Sequence, residues 1–450
     1  MLYEFRAKNF KSFRDEFIFS MKPAPKQKGL DYSVLKKVVG KKLTKALCSA
    51  VIYGANASGK TNLISAMGVL KNIVLSGNIR NGTGPFPTNV AAHTLELIPN
   101  CYAKTRDPVS FAIEFFHDGD IFFYSLQINL GYFLEESFAR QIEREELKVN
   151  GFTIFLREGN SASCSNLTKV RKYLPDGKVS ISKVRQELIT RSLQKEELFL
   201  TNGFKSIVSP LLCAKVLDWF SNKFLIICRA DAMTVSPVFG KDQTEPLPLT
   251  QDFRKAMHSF GLENHELCYV PRPDGNGAEL CSFLADPAKE GKAKIILANV
   301  FESYGTIRFA QLYPLIAKTL KDGAVLVIDE FDASIHPMAL LSIVNSFHND
   351  EINKNGAQLI FNTHNPIFLN SNYYRRDEIK FVEIDKETNS SIHYALSDFG
   401  TSGENGVRKN EDYLKNYFVD RYGAISSVDF TDAFQNVVTD TREERKNNAP

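Results

Sequence analysis

The chain has 450 residues, of which 43% are apolar and 24% charged, an ordinary composition for a folded globular protein. Its net charge is +3, from 55 basic and 52 acidic residues, so overall charge favours no class of partner. This length predicts two or three folding units. The composition excludes a disordered, collagen-like or disulfide-scaffold protein.

The seven cysteines are scattered and form no C-x-x-C pair. Such thiols are typical of a reducing compartment and give no zinc signature. The opening residues MLYEFRAKNF lack the apolar stretch of a secretory signal, and no apolar run is long enough to span a bilayer. We therefore expect a cytoplasmic protein with no membrane partner.

The first half of the chain predicts strands around one helix. Two short strands come first, with a turn near Asn9. Eight lysines and one acidic residue then lie between Lys22 and Lys45, which leaves open a solvated loop or a phosphate-facing patch. The run ALCSAVIYG predicts a buried strand, and NLISAMGVLKNIVL predicts the helix after it. Residues 110–130 predict a hairpin with a His-Asp-Gly-Asp turn.

The second half alternates between helices and strands. Residues 150–180 are poorly periodic, 182–225 are helical in pattern, and the Pro-rich stretch 235–250 predicts a flexible connection. From residue 290 onward, strands joined by helices predict a parallel sheet. The elements predicted there are a helix over about 292–320, the strand AVLVIDE, a helix from about Pro337 to Asn345, and the strands AQLIFNTHN and EIKFVEID.

Residues 54–61 read GANASGKT, the pattern G-x-x-x-x-G-K-T, between the predicted buried strand and helix. Gly54 and Gly59 let backbone N–H groups turn toward an anion, and the helix N-terminus adds its positive dipole. In such a loop, Lys60 reaches the β- and γ-phosphates of a nucleotide and Thr61 offers its hydroxyl to Mg²⁺. Ser58 belongs to the same predicted phosphate-binding loop.

A carboxylate pair completes this prediction. The strand AVLVIDE ends in Asp329 and Glu330, and ligands bind at the carboxyl ends of parallel strands. We expect Asp329 to hold Mg²⁺ with Thr61. Glu330 points differently, and we expect it to act as the general base that polarises the attacking water.

Two flanking motifs resemble those of the ATP-binding-cassette ATPases, in their RecF/SMC/OLD-like branch. One is Glu302-Ser303-Tyr304-Gly305-Thr306 at a helix start, and the other is Thr363-His364-Asn365-Pro366 at a strand end. The resemblance implies that Ser303 and Gly305 bind the γ-phosphate of ATP held by a second subunit. It also implies that His364 is a catalytic switch residue that senses the phosphate of its own subunit.

Further details belong to this resemblance. Asn56 and Asn62, beside the phosphate loop, are typical of this branch and count among the expected ATP-binding residues, and the stretch from Phe331 to Pro337 is similar to its dimer-contacting loop. Tyr304 stands where many relatives have a small residue. Gln127 is the candidate for the family's glutamine loop.

The fold class predicted on these grounds is α/β, an ABC-type P-loop ATPase head with a mixed sheet and an inserted, mainly helical subdomain. Lys60 and Asp329 are 269 residues apart, more than a compact cassette needs, and no sustained heptads indicate a coiled-coil arm. The predicted segments are the N-terminal part of the head at 1–140, a largely helical insertion at 141–290, the C-terminal part of the head at 291–425, and a tail at 426–450.

The C-terminal stretches RRDEI, LSDF and RYGAI resemble the stand-alone ATPases of abortive-infection and phage-defence systems, of the AbiL, RloA, PtuA and AriA kind. This resemblance implies an ATP- and Mg²⁺-dependent homo-oligomer that regulates a separately encoded nuclease or toxin. A RecF-like DNA-repair ATPase that clamps DNA, and a scaffold that barely hydrolyses ATP, remain open. Basic residues in the insertion leave open a nucleic-acid contact or a solvated face.

Overall fold

The computed structural model describes residues 1–25, 29–80, 96–135, 138–175, 177, 179–228, 235–237, 245–272, 277–285, 293–401, 406–426 and 429–435. Its strands are β1 (Leu2–Lys8), β2 (Phe17–Ser20), β3 (Val34–Val39), β4 (Lys42–Leu47), β5 (Ser49–Tyr53), β6 (Val109–His117), β7 (Asp120–Asn129), β8 (Gln141–Val149), β9 (Phe152–Glu158), β10 (Ser161–Cys164), β11 (Phe224–Ile227), β12 (Leu247–Pro248), β13 (Glu266–Pro271), β14 (Ala278–Ala285), β15 (Ala293–Leu297), β16 (Val325–Ile328), β17 (Gln358–Asn362), β18 (Ile379–Asp385) and β19 (Ser390–Ala395).

The α-helices are α1 (Lys60–Ser76), α2 (Lys183–Ser192), α3 (Pro210–Asp218), α4 (Gln251–Phe260), α5 (Ala298–Phe301), α6 (Tyr304–Asp322), α7 (Pro337–His348) and α8 (Tyr413–Phe418). Two π-helical segments, Leu200–Val208 and Trp219–Lys223, lie before and after α3. Short 3-10 turns occupy Asp31–Ser33, Leu167–Tyr173, Pro366–Phe368 and Leu396–Phe399.

A six-stranded sheet in the order β11-β16-β17-β5-β18-β19 forms the centre of the fold. All its neighbouring strands are parallel except β19, which pairs antiparallel with β18. The runs SAVIY, VLVI and QLIFN are buried along their whole length, as expected for parallel strands covered on both faces. The predicted α/β class with a mixed sheet is confirmed, and the carboxyl ends of β5, β16 and β17 meet at one edge.

A second sheet is antiparallel, with seven strands in the order β10-β9-β8-β7-β6-β1-β2. In β6 and β7, buried residues alternate with half-buried ones, so one face of these strands packs inward. The predicted hairpin at 110–130 is confirmed: His117 pairs with Asp120 across a turn in which Asp118 and Gly119 have positive φ.

Helix α1 packs between the two sheets. One apolar cluster joins Leu70 and Ile73 of this helix to Ile52 of the core sheet and Phe111 of the antiparallel sheet. Each such buried side chain stabilises the fold by about 1.5–3 kcal/mol. On the other face of the core sheet, a second cluster joins β5 to α6 and α7. Helix α1, which begins at the phosphate loop, is therefore fixed between the core sheet and the antiparallel sheet.

The largely helical insertion predicted for 141–290 needs correction. Strands β8, β9 and β10 extend the antiparallel sheet, and β11 pairs with β16 in the core sheet. Strands β12, β13 and β14 lie in the later part of the range and form a small sheet with β15, which follows it. The short polar strands at 152–164 carry too little apolar alternation to be predicted. The helices α2, α3 and α4 do lie in this range.

The long helix predicted over 292–320 also needs correction. Ala293–Leu297 forms β15, whose residues pair with β14, and the helix proper begins only at Tyr304. Helix α7, from Pro337 to His348, confirms the helix predicted from Pro337. Residues 238–244 of the Pro-rich stretch 235–250 and the end of the tail lie outside the described residues. Across the described ranges, no helix combines the length and apolarity that crossing a membrane requires.

Candidate functional site

The phosphate loop connects β5 to α1 as predicted. The buried Lys60 begins the helix, and its ammonium donates hydrogen bonds to the carbonyls of Gly54 (2.8 Å) and Ala55 (2.9 Å). Burial lowers the pKa of Lys60 to about 8, although the carboxylates of Asp329 and Glu330 act to raise it. The cation is therefore fixed on the loop, at the positive end of a 17-residue helix.

Two glycines of the loop cannot be replaced without displacing neighbours. A Cβ on Gly54 would lie 2.2 Å from the carbonyl oxygen of Val382, and Gly59 has φ +110° with the Ser391 hydroxyl 2.3 Å from its Cβ position. The backbone of β18 at Val382 therefore lies too close to Gly54 to leave room for a side chain there. Gly59 adopts a backbone conformation that favours glycine. The buried hydroxyl of Ser58 has no hydrogen-bond partner in the described part of the chain.

The predicted metal-binding pair meets at the edge of the core sheet. The hydroxyl of Thr61 donates to Oδ1 of Asp329 over 3.2 Å. Asp329 is only 3% exposed, and the side-chain amide of Asn362 donates to the same oxygen. An exposed hydroxyl beside a buried carboxylate is an oxygen donor set that suits Mg²⁺.

Glu330 lies next to this pair but faces solvent. Its φ is +54°, uncommon for a residue with a side chain. Its N–H donates to Oδ1 of Asn362 over 2.5 Å. Asn362 therefore binds both consecutive acids, holding the Asp329 carboxylate inward while the backbone turn leaves the Glu330 side chain exposed. No sequence pattern singles out Asn362.

His364 follows β17 and is exposed. Partial burial, and then the charge of Lys60, lower its pKa, while Asp332, Glu330 and Asp329 act to raise it. These influences show that the imidazole lies within electrostatic range of Lys60 and the carboxylates. Since the pKa is below its usual value of 6.5, His364 is mainly neutral at pH 7.

The signature residues begin α6. The hydroxyl of Ser303 caps this helix by accepting a 3.1 Å bond from the N–H of Thr306. A Cβ on Gly305 would lie 2.4 Å from the carbonyl oxygen of Ser334, a residue with φ +62°. Gly305 therefore packs against the loop 331–337, and only glycine fits there. That loop is linked in turn to the segment after β17, because Asp332 accepts a 3.1 Å bond from the N–H of Asn365.

A serine bridge joins the N-terminal segment to the phosphate loop. The Ser391 hydroxyl bonds to the Ser58 carbonyl and lies 2.7 Å from the Ser12 hydroxyl. Asn62 donates to Ser12 over 2.8 Å. Ser391 was missed from the sequence, because a serine in an edge strand carries no periodic signal. Asn62 contacts this bridge, whereas Asn56 is exposed at the tip of the loop.

Gln127 does not lie in a loop. It lies inside β7, paired with Ser110 and Arg144, so its assignment as the residue of the glutamine loop is wrong. Instead, the segment that reaches Asp329 from the outermost strand of the core sheet is the end of β11. There the carbonyl of Ile227 accepts a 2.9 Å bond from the N–H of Asp329.

These residues fit a nucleoside triphosphate with Mg²⁺. The loop presents a fixed cation, a helix N-terminus, two glycines that keep side chains out, and the unpartnered Ser58 hydroxyl. Thr61 and Asp329 supply the metal-side oxygens. The fold and this site define a P-loop protein of the ATPase type.

The family model that matches part of the chain agrees with this class. Residues 49–152 and 284–370, less than half of the chain, match the family described as "AAA domain, putative AbiEii toxin, Type IV TA system". Solved structures similar to the chain include the SMC head domain from Thermotoga maritima, at 13% sequence identity and a TM-score of 0.37, with 88% of this chain and 98% of that chain covered. A search of curated proteins gave no match.

Proposed function

We propose that the chain is an ATPase that hydrolyses ATP with Mg²⁺ as a homo-oligomer in which two subunits share each nucleotide. The observation that carries this proposal is the 3.2 Å contact between Thr61 and Asp329, 268 residues apart in the chain. It joins the phosphate loop to the carboxylate that follows β16, as nucleotide hydrolysis with a metal requires.

Each residue has a role that its position supports. Lys60 and the loop N–H groups bind the phosphates, while Thr61 and Asp329 hold Mg²⁺. The metal ion would neutralise charge on the β- and γ-phosphates. Glu330, exposed beside them, accepts the proton of the attacking water, and His364 is placed to contact the γ-phosphate as a neutral donor. These roles are proposals from geometry and chemistry.

Sharing of the nucleotide rests on the signature residues. Ser303 is exposed, caps a 19-residue helix and offers that helix's positive end to an anion. Gly305 couples it to the loop 331–337. We propose that Ser303 and Gly305 bind the γ-phosphate held by a second copy, so that ATP stabilises the dimer and hydrolysis releases it.

The biological role proposed is that of a sensor and regulatory subunit in a bacterial antiphage system, which controls a separately encoded nuclease or toxin. The description of the matched family, which names a toxin and a toxin–antitoxin system, supports this reading. The test is to co-express the chain with the product of its neighbouring gene and to assay degradation of plasmid DNA. We expect Lys60→Ala to abolish ATP-dependent control; the same degradation with Lys60→Ala as with the unmodified chain would contradict the role.

The ATPase itself is tested by turnover. We expect Mg²⁺-dependent phosphate release by the unmodified protein, none by Lys60→Ala, and a loss of about 10²–10⁴-fold in Glu330→Gln. Glu351→Gln is the matched control, because this glutamate is exposed in the loop after α7. Equal turnover by Glu330→Gln and Glu351→Gln would contradict the assignment of the base.

One observation favours a second candidate, a RecF-like ATPase that clamps DNA. The hairpin β3–β4 carries five lysines and no acidic residue, and Lys36 lies directly opposite Lys45. Like charges in this arrangement repel each other, and a phosphate backbone would offset that repulsion. ATP-dependent, salt-sensitive DNA binding that Lys36→Glu with Lys45→Glu removes would support this candidate. If no such DNA binding is found, this candidate is contradicted and the antiphage role remains the proposal.

A further inference from the structure

A cavity of about 550 Å³ lies between β2 and the last two strands of the core sheet, β18 and β19. Its size falls within the range of small-molecule sites in proteins. Its lining includes Lys380 of β18 and His393 of β19, together with the aromatic and proline side chains of Phe17, Pro23 and Pro25. None of these residues belongs to the phosphate loop or to the metal-binding pair Thr61 and Asp329.

Lys380 is an unpaired buried cation at this cavity. The residue is only 3% exposed, and among the described residues its ammonium has no hydrogen bond and no carboxylate oxygen within 4 Å. The ammonium lies over the ring of Phe19, whose centroid is 5.8 Å away. A buried charge without an ion partner is costly. Burial accordingly lowers the pKa of Lys380, although Asp377, Asp398 and Glu378 act to raise it.

The carboxylates near Lys380 are already engaged. Asp377 accepts two 2.9 Å bonds from Arg375 and a third from the N–H of Ala24. Asp398 accepts the N–H of Ala395 over 2.8 Å. These acids lie in the cavity wall with Glu16 and do not neutralise the lysine by contact. An acidic wall disfavours a polyanion and favours a ligand that pairs one anionic group with hydrogen-bond donors.

His393 offers a second polar group. Its Nε2 is buried and has no hydrogen-bond partner within the described ranges. Burial, and then the charge of Lys380, lower its pKa to about 3, so the imidazole is neutral at physiological pH. Rings of Phe17 and Phe19 pack near it, with centroids 6.2 Å and 5.6 Å away. The cavity therefore combines the Lys380 ammonium and one neutral imidazole with a wall of aromatic, proline and acidic side chains.

We propose that this cavity binds a small organic molecule of about mononucleotide size that presents an oxyanion, either a phosphate or a carboxylate, to Lys380. The ammonium forms the ion pair that it lacks in the protein alone. His393 contributes a neutral hydrogen-bonding group, and the acidic wall accepts donors from the rest of the ligand.

The position of the cavity makes it a regulatory site. Val382 lies two residues after Lys380 on the same face of β18, and its carbonyl closely approaches Gly54. Val382 also pairs with His393 on β19. Two residues before His393, Ser391 bonds to the Ser58 carbonyl. A ligand that moves either strand therefore moves the phosphate loop; this regulatory step rests on the proposed ATPase, whereas ligand binding itself does not.

The binding test uses Lys60→Ala, so that the phosphate loop does not compete. AMP, inorganic phosphate and the monocarboxylate N-acetyltyrosine are each titrated by calorimetry and by thermal unfolding. We expect saturable binding of at least one probe, weakened at least tenfold by adding Lys380→Met and unchanged by adding Lys36→Met, an exposed lysine. Binding of AMP and phosphate identifies a phosphate ligand, and binding of N-acetyltyrosine alone identifies a carboxylate. No saturable binding by any probe, or equal binding with and without Lys380→Met, overturns the proposal.

Two further measurements keep the test decisive. Lys380→Met without ligand should unfold at a higher temperature than the unmodified chain, because it removes an uncompensated charge. If this variant does not fold, His393→Phe replaces it, with the same expected tenfold loss of probe binding; unchanged binding overturns the proposal. In the unmodified protein, the probe should shift ATP affinity, and adding Lys380→Met should reduce that shift. If the probe binds but ATP affinity does not change, the binding site is supported and its regulatory role is contradicted.

Discussion

The hydroxyl of Thr61 donates a hydrogen bond of 3.2 Å to the carboxylate of Asp329, although the two residues are 268 positions apart. The contact forms because β5 and β16 lie on either side of β17, so the chain segments that follow them leave the same edge of the sheet. Asn362, at the end of β17, fills the space between them and bonds to both Asp329 and Glu330.

Asn362→Ala should weaken the response to Mg²⁺. The change removes a donor from Asp329 and leaves the N–H of Glu330 without its partner, at a cost of about 1–3 kcal/mol. We expect the Mg²⁺ concentration for half-maximal turnover to rise about tenfold. Asn353→Ala is the control, because this buried amide bonds only to backbone groups near α7. A variant of Asn362 that loses stability as the control does, yet keeps normal Mg²⁺ dependence, would contradict this role.

Gly305→Ala should slow hydrolysis and leave ATP binding nearly unchanged. The added Cβ would lie 2.4 Å from the Ser334 carbonyl, so the loop 331–337 or the signature helix must shift. Displacements of about 1 Å can reduce turnover by about 10²-fold. Gly68→Ala on α1 is the matched control, since its Cβ would meet atoms only at 3.7 Å and beyond. Equal turnover in the two variants would argue against a role for the signature contact.

ATP affinity should fall at alkaline pH. The pKa of Lys60 is lowered to about 8, and the protonated ammonium is the form that attracts phosphate. Below pH 7.5 the dissociation constant should be nearly constant; above pH 8 it should rise by up to about tenfold per pH unit, because binding must then take up a proton. Calorimetry in two buffers of different ionisation enthalpy should detect that proton at pH 8.5. A flat profile to pH 9.5 would show that Lys60 stays charged throughout.

Two inactive variants should restore activity to each other. Ser303→Arg places a bulky cation on the signature of one subunit, and Lys60→Ala removes nucleotide binding from the other. In a mixed dimer, one composite site pairs an intact phosphate loop with an intact signature, while the other site carries both defects. In a 1:1 mixture half of the dimers are mixed and each of these has one intact site of two, so we expect turnover to recover toward about a quarter of the unmodified rate per dimer. Turnover no higher than the mean of the separate variants would contradict shared sites.

The sequence predicted the phosphate loop, the carboxylate pair and the strand endings because each is a local pattern. GANASGKT and AVLVIDE combine apolar strand runs with chemistry at the strand end, and parallel strands bring such ends together. The helix predicted from Pro337 was likewise marked by its periodicity and its proline start.

What the sequence did not predict depends on long-range pairing. Strand β11 is a short run, FLII, directly after π-helical residues, and only its pairing with β16 makes it part of the core. Gln127 has the residue type expected of a glutamine loop but lies inside a hairpin. Asn362 and Ser391 acquire their roles from neighbouring strands, which no local pattern records. The insertion was misjudged because short polar strands lack a clear apolar period.

The most direct test of the account is the mass of Glu330→Gln in solution, with and without ATP and Mg²⁺. This variant keeps Lys60, Thr61 and Asp329, so it should bind ATP and hydrolyse it slowly. We predict that the mass doubles, or rises by a further multiple, when ATP is added, and that adding Ser303→Arg to the same chain prevents this. A mass that stays at one subunit with ATP bound would contradict the shared nucleotide site.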